Sequence, residues 1–347
     1  MRYAYVGCRT TKERNARGEG LKTYEIQPDG SWKCLQCLET EPNPSFQTLD
    51  GEGKYLYSVH GDITKVSSYR ILKDHTLEHI NTIDIGGRNP VDITVDRNNK
   101  HVIVATLQGG TIYTIDRKND GSLGEVIAEF TYEGKEPGKV STIHQCLWDK
   151  KKNFLFACAQ SRVNGYGQMR ALRYDHETGQ FTQTAQFLSR TWDELRHAAV
   201  HPNNLWVYMC EEKGNKVLFF RFDDENGTFE ALQELTTVPE TVTGYSDASE
   251  VMVDPSGKFV LVSNRYTDSI AVYRIDPLTG YMRNVGFYPC LGKTPRFFCF
   301  GDNGKCYVAN EDSDTIIEFD FDNMTGALIP TLNIVHTGSP VWILFAD

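Results

Sequence analysis

The sequence has no surplus of positive charge: 36 lysines and arginines stand against 46 aspartates and glutamates, a formal net charge of -10. Binding to a phosphate backbone depends on lysine and arginine, so nucleic acid is not expected as a partner. No apolar run is long enough to span a bilayer. Residues 1–8 read as a strand and not as a signal segment, so a cytoplasmic protein that stays off membranes is expected. The nine cysteines are odd in number and scattered, which fits buried thiols better than a disulfide framework. Cys34-Leu35-Gln36-Cys37 is a lone pair without the second pair or nearby histidine that a zinc site needs. A Trp-Asp repeat signature, low-complexity tracts, linkers and helical periodicity are all missing. There remain many short apolar runs separated by turns, in a chain with 29 glycines and 17 tyrosines.

These runs repeat, and the period decides the fold. Residues 248–276 contain three strands: 251–253, then 259–262 after the turn Asp254-Pro255-Ser256-Gly257, then the alternating run 270–275. An outer strand follows near 282–288. The residue that closes the first strand recurs as Asp50, Asp96, Asp149, His201, Asp254, Gly301 and Asp347, at intervals of 46 to 53 residues. The last copy has only its first strand. Residues 1–8, 22–26 and 32–38 supply its other three. The expectation is a single all-β domain over residues 1–347, a seven-bladed β-propeller with four antiparallel strands per blade, its last blade joining the C-terminal inner strand to the N-terminal outer strands.

In such a ring the starts of the first strands and the ends of the second strands meet at one mouth. The long connections at 134–142, 188–195 and 235–247, with the excursion 162–167, are expected to wall a pocket there. Counting back five residues from each marker gives Ser45, Val91, His144, Arg196, Ser249, Arg296 and Trp342. The ends of the second strands give Arg9, Gly61, Leu107, Gln160, Glu212, Arg265 and Glu311. Convergent guanidinium groups suit a carboxylate or phosphate, while Glu212 and His144 are candidates to move protons. Arg9 and Glu311 either face the pocket or face each other. His197, His201 and His336 read as structural, because strand alternation turns His197 away from the side of Arg196. A rim of mutually neutralising charges is the plain alternative.

Several phrases resemble the lactonase family of seven-bladed propellers, which includes bacterial 6-phosphogluconolactonases and fungal carboxymuconate-cyclising enzymes. They are the runs 254–259 and 268–273, Ser263-Asn264-Arg265, Gly292-Lys293-Thr294-Pro295-Arg296, the run 309–314, Asn43-Pro44-Ser45-Phe46 and the run 120–124. The resemblance implies an active site with His144, the pair Arg196-His197, Glu212, Arg265 and Arg296. It departs from the family at Gly7-Cys8-Arg9, where many members have threonine. The implied activity is hydrolysis of an anionic sugar lactone, 6-phosphogluconolactone first. His144, Glu212, Arg196 and Arg265 would be catalytic; Arg296, Arg9, Glu311 and His197 would bind substrate, with no metal or cofactor. The alternatives are a carboxymuconate-type cycloisomerase and a propeller that only binds a ligand or a protein.

Overall fold

The computed structural model describes residues 2–162, 165–189 and 193–347. They form seven four-stranded antiparallel sheets arranged as a ring of blades. The inner strands, from blade one to blade seven, are Pro44–Leu49, Pro90–Val95, Thr142–Trp148, Leu195–Val200, Asp247–Val253, Pro295–Phe300 and Pro340–Ala346. Blade seven is made from both chain ends, Tyr3 pairing with Ala346 and Cys8 with Pro340. Among the described residues the helical turns are two short ones, Lys12–Arg14 and Glu311–Ser313.

The repeating aspartate has a mechanical role. Asp254 Oδ1 accepts the backbone N–H groups of Lys258 and Phe259 at 2.8 and 2.7 Å, so one carboxylate shapes the hairpin between first and second strands. Asp96 does the same for Lys100 and His101 at 2.8 and 2.9 Å. Some of these carboxylates also tie blades together. Asp50 Oδ2 accepts from Asn99 at 3.0 Å and from Arg117 at 2.9 Å, and both donors belong to the next blade.

Apolar residues fill each gap between neighbouring blades. Phe156, Met169, Val207 and Phe220 pack between blades three and four, and Tyr208, Phe219, Val260 and Tyr273 between blades four and five. Side chains of alternate positions on one sheet therefore face the next sheet, which is the packing that makes a closed ring stable.

One irregularity recurs in every blade. Pairing between the inner strand and its neighbour slips by one residue near the mouth, between Pro44 and Phe46, Pro90 and Asp92, Ile143 and Gln145, Leu195 and His197, Ala248 and Val251, and Pro295 and Phe297. In blade seven the slip leaves Val341 as the extra residue. Each slip is a β-bulge, and a bulge lets consecutive side chains leave the strand on the same side.

Candidate functional site

The bulges bring their side chains around a cavity of about 250 Å³ at one mouth of the ring. The pairs Ser45 and Phe46, Arg196 and His197, Arg296 and Phe297, and Val341 and Trp342 all line it. His197 is therefore at the cavity beside Arg196, contrary to the strand-alternation reading, and the bulge at Arg196 is the reason. In blade five the lining residue is Glu250 in place of Ser249, because two bulge residues there face one position, Ser263, on the adjoining strand. Arg9, Leu107, Glu212 and Arg265 reach the cavity from the ends of second strands. Gly61, Gln160 and Glu311 are not part of its lining.

Glu212 is the hub of one side. Its Oε1 accepts from Arg265 Nη2 at 2.6 Å and from Arg162 Nη2 at 3.4 Å, and its Oε2 lies 3.5 Å from Arg196 Nε and accepts from Gln160 Nε2. Burial pushes the carboxyl up, but Arg265, Arg196 and Arg162 outweigh it and hold the group at about 2. A carboxylate held so low is a weak base. It is in contact with three guanidinium groups at once.

A second chain of contacts runs through the histidines. Glu250 Oε2 lies 2.9 Å from His197 Nδ1, and His197 Nε2 lies 3.1 Å from His144 Nδ1. A carboxylate only accepts, so His197 carries its proton on Nδ1 and offers a lone pair at Nε2 to the Nδ1–H of His144. The free lone pair of His144 is then on Nε2. Burial, with Arg196, His197, Arg162 and Arg296 behind it, drives the His144 pKa well below the ordinary value and keeps the ring neutral.

The opposite rim holds Arg296, whose Nη1 donates to Glu311 Oε2 at 3.1 Å, and Arg9, which faces the cavity. Glu311 therefore partners Arg296 from outside the lining. Arg14, from the turn Lys12–Arg14, also reaches the cavity and donates from Nε to Asp62 Oδ2 at 2.8 Å.

Sequence reasoning missed Glu250, Arg162 and Arg14. Glu250 is one step from the counted position, and Arg162 opens an excursion already singled out. Arg14 belongs to an insertion that the repeat does not cover. The described residues of the long connections 134–142, 188–195 and 235–247 do not line the cavity, whereas Arg162 of the excursion 162–167 does. Val140 of the first pairs with Glu133 just before it, and Ser246 Oγ of the last donates to Arg265 O at 3.3 Å. Val163, Asn164 and residues 190–192 lie outside the described residues. Among the described residues no group of three or more His, Cys, Asp or Glu side chains is placed to hold a metal ion, and no helix is long and apolar enough to cross a membrane.

Comparison with known proteins adds a lineage. A 6-phosphogluconolactonase of Bacillus subtilis is 26% identical over 355 aligned positions that cover 98% of this chain and 97% of that protein. One from Formosa agariphila is 27% identical over 341 positions, covering 93% and 94%. The solved structure of a periplasmic gluconolactonase from Pseudomonas aeruginosa has a TM-score of 0.89 at 24% identity, covering 100% of this chain and 99% of that one, a likeness of fold. Residues 3–345 match the family described as Lactonase, 7-bladed beta-propeller, and the chain belongs to that family.

Proposed function

We propose that this protein hydrolyses a sugar lactone that carries a second, anionic group, with 6-phosphogluconolactone as the foremost substrate, and that it does so without a metal. The observation that carries the reading is the Glu250–His197–His144 chain, which ends in a neutral imidazole at a cavity rimmed by arginines. Relatives named 6-phosphogluconolactonase support the same reading.

His144 Nε2 takes a proton from water as the water oxygen attacks the lactone carbonyl carbon. The imidazolium that forms is stabilised through His197 by the Glu250 carboxylate, the logic of a base held and charged by a third group. The carbonyl π pair moves onto oxygen, and the Arg196 and Arg265 guanidinium groups stabilise that oxyanion. When the carbonyl reforms, the ring C–O bond breaks, and the departing alkoxide takes the proton back from His144. The product is the open-chain acid. Glu212 keeps the arginines aligned and acts on no proton itself.

The test is the hydrolysis rate of freshly generated 6-phosphogluconolactone above its spontaneous rate, with chelator-treated protein and with His144→Gln. Acceleration that survives the chelator and disappears in the variant is the expected result. Wild-type rates no faster than the spontaneous reaction reject this substrate.

A further inference from the structure

Among the arginines at the mouth, Arg9 stands apart. Arg162, Arg196 and Arg265 meet Glu212, Arg296 meets Glu311, and Arg14 meets Asp62. Arg9 is 5% exposed, and its Nε and Nη1 are buried without a hydrogen-bond partner among the described residues. Burial, followed by Arg296, pulls its pKa down to about 9, which still leaves it charged at neutral pH. The opposite charges it feels, those of Glu311 and Asp62, are already held by Arg296 and Arg14, and a buried guanidinium whose own donors stay unpaired is costly, so the cavity has a place for an anion.

The surroundings are shaped for this side chain. A Cβ at Gly61 would sit 2.3 Å from Arg9 Nη1, so the guanidinium occupies space that any other residue at Gly61 would fill. Arg9 ends the strand Tyr3–Cys8 of blade seven, while His144 and Arg196 lie on the inner strands of blades three and four. In a sevenfold ring those are the two blades opposite blade seven.

Resting on the lactonase reading for the placement of the carbonyl, we propose that Arg9 is an anion subsite that grips the phosphate or carboxylate at the end of the substrate remote from the reacting carbonyl. A guanidinium with unpaired N–H groups offers such an anion hydrogen-bond donors as well as charge. Arg14 and Arg296 stand beside it, each already paired with a carboxylate, Asp62 and Glu311 respectively.

The experiment is calorimetric binding of glucose 6-phosphate, which has a phosphate and no carboxylate, and of gluconate, which has the reverse. The proteins are wild type, Arg9→Met and Gly61→Ala, each also measured for its melting temperature. At least a tenfold loss of affinity for one ligand in both variants, with Arg9→Met melting no lower than wild type, is expected, and the ligand that loses affinity identifies the anion. Equal binding in wild type and Arg9→Met overturns the subsite. So does failure of both ligands to bind wild type at millimolar concentration, or a lowered melting temperature in Arg9→Met with binding retained. Anion binding that needs Arg9 in a protein inactive on lactones keeps the subsite and removes the lactonase reading; active protein with binding indifferent to Arg9 does the opposite.

Discussion

His144 Nδ1 lies 3.1 Å from His197 Nε2, and the other ring nitrogen of His197 lies 2.9 Å from a Glu250 oxygen. The three side chains come from blades three, four and five, so the ring itself sets their alignment. Glu250→Gln and His197→Gln should each lower kcat by about 10² or more with little change in KM, since the loss falls on stabilising the imidazolium. The double variant should be hardly slower than either single one, because the residues act as a unit. Steady-state kinetics on the four proteins measures this, and independent, additive losses would contradict it.

The pH profile follows from His144. A base whose pKa is well below the ordinary histidine value stays active as pH falls through about 6.5. kcat/KM should therefore be flat between about pH 8 and 6.5 and decline only at lower pH. In Glu250→Gln the acid limb should move lower still, because the carboxylate that favours protonation is gone. An acid limb at the ordinary histidine value in the wild type would contradict the neutral-imidazole assignment.

Glu212 gives a linked stability prediction. Its ordinary value is 4.5 and its folded value about 2, so its contribution is complete above about pH 4.5 and is lost as pH falls toward 2. Glu212→Gln leaves the buried guanidinium groups of Arg196 and Arg265, and the partly exposed one of Arg162, short of a counter-charge and should cost about 3 kcal/mol at pH 7, with the deficit shrinking as pH falls through that window. Urea melts of both proteins at pH 7 and pH 3 measure it. Turnover should also fall by about 10² as the arginines lose their alignment.

Asp92 presents the reverse case. Burial raises its carboxyl to about 7, against the backbone N–H groups of Cys146 and Ile93, which lower it. The folded protein thus holds a proton that the unfolded chain releases near 3.8, and stability falls as pH rises from there toward 7. Asp92→Asn keeps an acceptor for the Cys146 N–H, now 2.6 Å away, and removes the ionisation. It should be nearly neutral at pH 4 and raise stability by about 2 kcal/mol or more at pH 8, read from urea melts at the two values.

The ring was legible because its punctuation is chemical. Asp50, Asp96, Asp149 and Asp254 stand where a carboxylate accepts the backbone of the following hairpin, so a strand-closing aspartate marks four of the blades in the sequence, and the regular spacing finds His201 and Gly301 in two others. His144, Arg196, Glu212 and Arg265 followed from counting off those marks. The bulges were not legible. Their residues include serine, valine, histidine and arginine, and no side-chain type announces an extra residue that breaks the alternation of faces. That is why His197 was turned the wrong way and Glu250 was passed over for Ser249. Arg14 left no trace because it sits in an insertion between two strands of blade seven, outside the repeat.

The pairing of Cys8 with Pro340 has a consequence for how the protein is made. Arg9 follows directly after the residue that this pairing secures, so its place at the mouth depends on a strand at the far end of the chain. During synthesis the N-terminal strands emerge first and must wait for that partner, the longest loop closure in the fold and the last to become possible. A nascent or C-terminally clipped chain can carry every residue of the His144 relay and still lack a completed mouth. Completion of the mouth is thereby tied to synthesis of the strand Pro340–Ala346.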